Sequence, residues 1–179
     1  MILDILRKRR SIRSYEDRPV EPEKIERVLQ AALLSASSKG IRPWNFILVD
    51  EPDLLQALGR AKPHGSDFIG KAAFAVVICA DIDKAAAWIE DCSIAAIGMQ
   101  LAIEEEGLGS CWVQIRDRSA PDGRPASEYI KETLDIPSNF DVEAVIAAGY
   151  PAVQKAPYSL QDLQWKKVSR NKFGSHYQG

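Results

Sequence analysis

Arg7, Lys8, Arg9, Arg10 and Arg13 crowd into one stretch near the start of the chain, with Ser11 set among them in KRRSIRSYEDRPV (8–20). A guanidinium presents a planar fork of N–H donors that matches a phosphate or carboxylate, and a serine adds a hydroxyl. These residue types call for an anion. A simpler reading also fits, because cations are favoured at the C-terminal end of a helix. Two further stretches could approach a ligand. SASSKGIRPWNF (35–46) gathers small polar residues with hydroxyls and backbone N–H groups to offer, and Pro43-Trp44 fix the entry into a strand. Serine and glycine also mark ordinary turns. GLGSCWVQI (107–115) has glycines that let backbone come close to a ligand, and a helix cap before a buried strand explains them equally well.

The rest of the chain narrows the choice of anion. At 179 residues there is room for one domain with a substantial core. The 46% hydrophobic and 27% charged content is that of an ordinary globular protein. A net charge of −2 argues against a protein devoted to the nucleic-acid backbone, so the anion is expected to be small. No apolar run approaches the roughly 20 residues that cross a bilayer, and MILDILRKRR is apolar then basic, the reverse of a secretory leader. Cys79, Cys92 and Cys111 are odd in number and lie in or beside apolar stretches, which argues against a disulfide framework and for a reducing cytoplasm. With only His64 and His176, a zinc site is not expected; a Cys–His nucleophile pair stays open as a minor alternative. The chain has no G-x-G-x-x-G, no G-x-x-x-x-G-K-[ST] and no G-x-S-x-G.

Elements must position these residues. Ile2, Ile5 and Leu6 predict a short amphipathic helix over 2–8, which places the basic cluster on the turn that follows. Pro22 with Glu21 and Glu23 opens a second helix, whose apolar repeat runs Ile25, Val28, Leu29, Ala32, Leu33. Strands are expected over 45–50, 71–81, 110–115 and 142–151, the second apolar along its length and so central. Leu54, Leu55 and Leu58 predict a helix between the first two. The longest helix, over 84–106, carries a stripe of Ile94, Ile97, Leu101 and Ala102, yet its other faces are nearly apolar too, which predicts burial all round. Gly107 is its expected cap, and Ser127 the expected cap of EYIKETL. From Ala152 onward, Tyr158, Leu160, Leu163, Trp165, Phe173 and Tyr177 scatter without a compact period. A tail wrapped on a second subunit would cover them. The reading is α+β, with the tail and the apolar helix both pointing to a homodimer.

In their order and separation, these stretches resemble the nitroreductase family of flavin mononucleotide (FMN) oxidoreductases. RRSIRSY is similar to the family's opening R-R/H-S-x-R/K-x-F/Y, SASSKGIRPWNFILV to P-S-x-x-N-x-Q-P-W-x-F-x-V, EEEGLGSCWV to G-L-G-S/T-x-W, and AAGYPAVQKAP to its last strand and the basic residue beyond. The resemblance implies a single domain over 1–179, an α/β sandwich with a mainly antiparallel central sheet flanked by helices. It implies a homodimer with two FMN sites and the tail 152–179 exchanged. It implies NAD(P)H as the reductant, hydride passing through flavin N5 to a nitro, quinone or similar small acceptor by ping-pong turnover, and no catalytic side chain. A flavin-binding sensor or flavin-modifying protein without NAD(P)H turnover is the alternative. By position, Arg9, Arg10 and Ser11 would hold the phosphate and ribityl chain, and Arg13 the N1/O2 edge. Ser37, Ser38 and Gly40 would approach the ring from the partner subunit. The backbone of Trp112, Val113 and Gln114 would pass beside the ring and N5, with Lys155 as the second phosphate ligand. The chain departs from the pattern in placing Gly40 where Asn is common, Arg42 for Gln, and Gln114-Ile115-Arg116 for Gly-Gly or Glu-Gly.

Overall fold

The computed structural model describes residues 1–177. Its centre is a four-stranded sheet of order β1-β2-β4-β3, antiparallel at every step, from β1 (Trp44–Val49), β2 (Phe74–Asp81), β3 (Gly109–Gln114) and β4 (Phe140–Gly149). Helices α1 (Ile2–Lys8), α2 (Pro22–Leu33), α3 (Pro52–Gly59), α4 (Trp88–Glu105) and α5 (Ala126–Thr133) flank it. This is the α+β class expected. β2 is buried at every position, as its unbroken apolar run required of a central strand.

Two cores follow from the alternation of side chains across the sheet. Val77, Val113 and Val145 pack against Leu55 and Leu58 of α3 and Ile130 of α5. Val76, Ile78 and Ile146 pack on the opposite side against Val28 of α2 and Cys92, Ala96 and Met99 of α4. Between Ile78 and Cys79 the β2–β4 register slips, leaving Glu143 as an extra residue on β4.

Three expectations are corrected. The long helix begins at Trp88 rather than 84, because Asp81 gathers Lys84 Nζ at 3.0 Å and Asp83 N–H at 3.2 Å into a turn. Ser127 does not cap α5: Pro125 takes that place in extended backbone, and Ser127 is buried in the first turn. Nor is α4 buried all round within one chain, since Ile94 and Ile97 are exposed and the buried face is Cys92, Ala95, Ala96, Met99 and Ile103. Gly107 does end the helix, at φ 73°.

The tail carries two 3-10 turns, Leu160–Asp162 and Trp165–Lys167, and every residue from Ala152 to Tyr177 is exposed. Its anchor is the amino end of the same chain: Tyr158 N–H donates to the Arg7 carbonyl at 2.9 Å. The last two residues of the predicted tail lie outside the described residues. Among the described residues, no helix is long and apolar enough to cross a membrane.

Candidate functional site

After α1 the chain runs out along the free edge of β3. Ser11 pairs with Ser110 as a parallel bridge, and Ile12 N–H donates to the Ser110 carbonyl at 2.9 Å. Gly109 permits this approach, because a Cβ there would stand 2.8 Å from Ile12 Cγ1 and 2.9 Å from Ile12 Cβ. Tyr15 then locks the segment from beneath, its single hydroxyl proton shared between the carbonyls of Ile12 at 2.8 Å and Ala147 at 3.1 Å. Burial drives the pKa of its hydroxyl far above the usual tyrosine value, so it stays a donor. Residues after β4 close the other side: Ala152 N–H reaches the Ser14 carbonyl at 3.0 Å, and Lys155 Nζ reaches the Ser11 carbonyl at 2.8 Å. Changing Gly109 to alanine should cost about 1–2 kcal/mol and lower Tm by about 2–8 °C, since neither Ile12 nor the strand can yield cheaply. Calorimetry of the variant checks this.

Electrostatics show which charges converge. Burial pushes the Cys111 thiol up, while the positive charges of Arg13, Lys155 and Arg9 and the Ser11 side chain favour its charged form. Arg13 also lies over the Phe68 ring, 5.8 Å from its centroid. Lys62 belongs here as well: burial lowers its pKa, the Arg118 charge lowers it further, and Cys111 opposes both. Lys62 and Arg118 belong to none of the sequence motifs, but lie in the stretches 60–70 and 116–127, which are expected from the sequence to line the pocket; they arrive from the loops after α3 and β3. Among the described residues, Arg9, Arg13, Lys62, Arg118 and Lys155 have no carboxylate within ion-pairing distance. Arg10 is turned elsewhere, its guanidinium donating to the Ala156 carbonyl and stacked 4.5 Å from the Tyr158 ring centre. Beside it opens a cleft of about 450 Å³ lined by Lys8, Arg10, Ile12, Glu104, Gly109 and Lys155.

The other expected residues divide. Val113 is core. Trp112 Nε1 donates to Gln114 Oε1 at 3.0 Å, and Gln114 Nε2 donates to the Arg116 carbonyl at 3.1 Å and approaches Glu143 Oε1 at 3.5 Å. The Gln114 amide is therefore spent inside the protein, and only backbone remains to offer a ligand. Arg116, the third departure from the family pattern, holds the buried Glu143 carboxylate through Nε at 2.8 Å. Ser37, Ser38 and Gly40 sit on a 3-10 turn against the first turn of α4, with Ser38 N–H donating to Asp91 Oδ1 at 2.7 Å. Lys8 and Arg10 line one cleft with Glu104, 13 residues beyond Asp91 on the same helix. At 1.5 Å per residue that is about 20 Å. One chain does not bring the two halves of the expected site together.

The cysteines are packing residues. Burial, first among the causes, raises Cys79 to about 11 and Cys92 to about 12. All three thiols are buried and His64 is exposed, which leaves no nucleophile pair with it. Ellman's reagent at neutral pH should leave the native protein unlabelled and titrate three thiols once guanidinium unfolds it. Among the described residues, no group of three His, Cys, Asp or Glu side chains could hold a metal ion.

Known proteins resemble the chain in fold and in sequence. The FMN-dependent nitroreductase of Clostridium difficile R20291 superposes with a TM-score of 0.94 at 47% identity, covering 96% of this chain and 99% of that one. A protein of Archaeoglobus fulgidus, provisionally named NADH dehydrogenase/NAD(P)H nitroreductase, is 34% identical over 89% of this chain and 91% of its own. One of Methanothermobacter thermautotrophicus with the same provisional name is 34% identical over 90% of this chain and 83% of its own. The Nitroreductase family profile matches residues 6–63 and 57–150. With its antiparallel sheet, its arginine-bearing edge segment and these matches, the chain belongs to the nitroreductase family.

Proposed function

We propose that the protein is an FMN-dependent oxidoreductase that takes hydride from NAD(P)H and delivers it to a small acceptor of the nitro or quinone type. The observation that carries this is the edge segment itself: Ser11 is paired to Ser110 on β3, Lys155 Nζ lies 2.8 Å from the Ser11 carbonyl, Arg9 and Arg13 flank Ser11, and among the described residues none of the three cations has a carboxylate within ion-pairing distance. FMN fits that donor set. Its phosphate needs cations and a hydroxyl, which Arg9, Lys155 and Ser11 supply, and the cleft that Lys155 lines is within the range of small-molecule sites. When bound, FMN supplies hydride chemistry at N5.

The chain's own part is binding and charge. Arg9 and Lys155 hold the phosphate, and Ser11 fixes its register against β3. Arg13 places a fixed positive charge beside the ring edge that gains negative charge on reduction, which favours hydride acceptance. The backbone at Trp112, Val113 and Gln114 walls the ring, and no side chain need exchange a proton in taking the hydride. A second copy of the chain completes the site by bringing Ser37, Ser38 and Gly40 to it. Support comes from the roughly 20 Å of α4 between Asp91, which holds the Ser38 turn, and Glu104, which lies by the basic segment, and from the exposed Ile94, Ile97, Leu160, Leu163, Trp165 and Phe173, which need a covering surface.

The test is direct. Purified protein supplied with FMN should elute as a yellow dimer, and NADH or NADPH should bleach it under nitrogen. A colourless chain indifferent to FMN would overturn the reading, and bound FMN that neither nicotinamide reduces would favour a flavin-binding protein without turnover.

A further inference from the structure

Asp91 stands in the first turn of α4 and is 1% exposed. Its Oδ1 accepts the Ser38 N–H, while its Oδ2 is sealed from solvent and meets no donor among the described residues. A buried carboxyl oxygen without a donor costs stability. Packing alone does not call for an acid there, because Cys92, Ala95 and Ala96 on the same buried stretch of α4 are small and apolar. The turn that Asp91 holds is strained. Lys39 at φ 52° and Arg42 at φ 54° both lie in the left-handed region that side chains disfavour. A second bond closes the turn, from Arg42 N–H to Ser37 Oγ at 3.0 Å. Strain of this kind persists only where the surroundings over-determine it, and it concentrates at ligand clamps.

We propose that Asp91 is a positioning residue: its carboxylate clamps the Ser38 amide to α4 and so holds the Ser37–Gly40 turn in the shape that meets the flavin ring. The inference rests on the functional reading above and adds a residue that the sequence motifs did not touch. Gly40, at φ 67°, offers no side chain to the ring, so the turn must contribute through its backbone and the neighbouring hydroxyls. Backbone donors act only as well as they are placed, and the fixed placement comes from beneath, through Asp91.

Asp91→Ala, Asp91→Asn and Ser38→Pro in the full-length chain test it. Asparagine keeps an accepting oxygen; proline removes the donated N–H at a helical first position whose preceding residue, Ser37, is already extended at φ −141° and ψ 157°. Asp91→Ala and Ser38→Pro should each speed amide exchange across the turn in the FMN-free protein and weaken FMN binding about tenfold, the loss of roughly one hydrogen bond's worth of placement. Asp91→Asn should restore both readouts to within about threefold of the starting protein, a rescue that general damage to the fold would not give. Should Asp91→Ala and Ser38→Pro bind FMN as tightly as the unaltered chain, or should asparagine do no better than alanine, the proposal is overturned. Failure of the functional reading looks different: the unaltered chain itself would take up no FMN.

Discussion

Removing the Arg9 guanidinium and the Lys155 ammonium together should weaken FMN binding by about 10²- to 10⁴-fold and leave the fold in place. The estimate takes each charge-assisted hydrogen bond to phosphate as worth roughly 1.5–3 kcal/mol, with 1.4 kcal/mol per factor of ten. Neither side chain supports the core. Lys155 lies in the exposed stretch after β4 and touches the protein at the Ser11 carbonyl, and Arg9 follows the last turn of α1. Fluorescence titration of FMN against Arg9→Ala, Lys155→Ala and the pair measures the effect, with circular dichroism to show the fold unchanged. Arg10→Ala is the informative control. By motif position Arg10 belongs with the phosphate ligands, but its guanidinium is bound to the Ala156 carbonyl and stacked on Tyr158. Its loss should cost at least an order of magnitude less affinity than the loss of the pair.

The second large effect concerns stability. Glu143 is the extra residue of the β4 bulge, 3% exposed, and its carboxylate is held by Arg116 and approached by Gln114. Arg116→Ala leaves that carboxylate buried without a cation. Losing one partner of a buried pair costs about 3–5 kcal/mol; Arg116 is itself partly exposed, so water takes up some of the deficit and about 2–3 kcal/mol is expected. For a chain of this size that lowers Tm by about 4–12 °C. Glu143→Gln in the same background should recover much of the loss, because it removes the charge and not the shape. A double-mutant cycle by urea unfolding measures both, and additive effects would show that the two side chains do not act as a pair.

Much of the molecule could be read along the chain. α1 and α2, the all-apolar β2 and the Gly107 cap come from periodicity, from Pro22 and from glycine's freedom at positive φ, which are properties of a few consecutive residues. So does the anion chemistry of Arg9, Ser11 and Arg13, because three donors on one short extended segment need no long-range information to be suspected. At Ser127 and at the start of α4 neighbours outweigh local preference: Pro125 takes the cap position, and Asp81 draws the residues before α4 into a turn.

Tertiary structure alone decided the rest. Asp91 reads in sequence as an ordinary acid in a helix's first turn, and its meaning comes from Ser38, 53 residues away. Lys62 and Arg118 belong to the cationic cluster only because two loops fold to the same sheet edge. Glu143 lies inside an apolar strand, where a one-residue slip of register makes room for a charge that period-two alternation would not accommodate. Local rules report what a segment can form and which ligand its side chains suit. Which distant groups meet is set by how sheet and helices pack, and that also separates Ser38 from Arg9 by most of the length of α4.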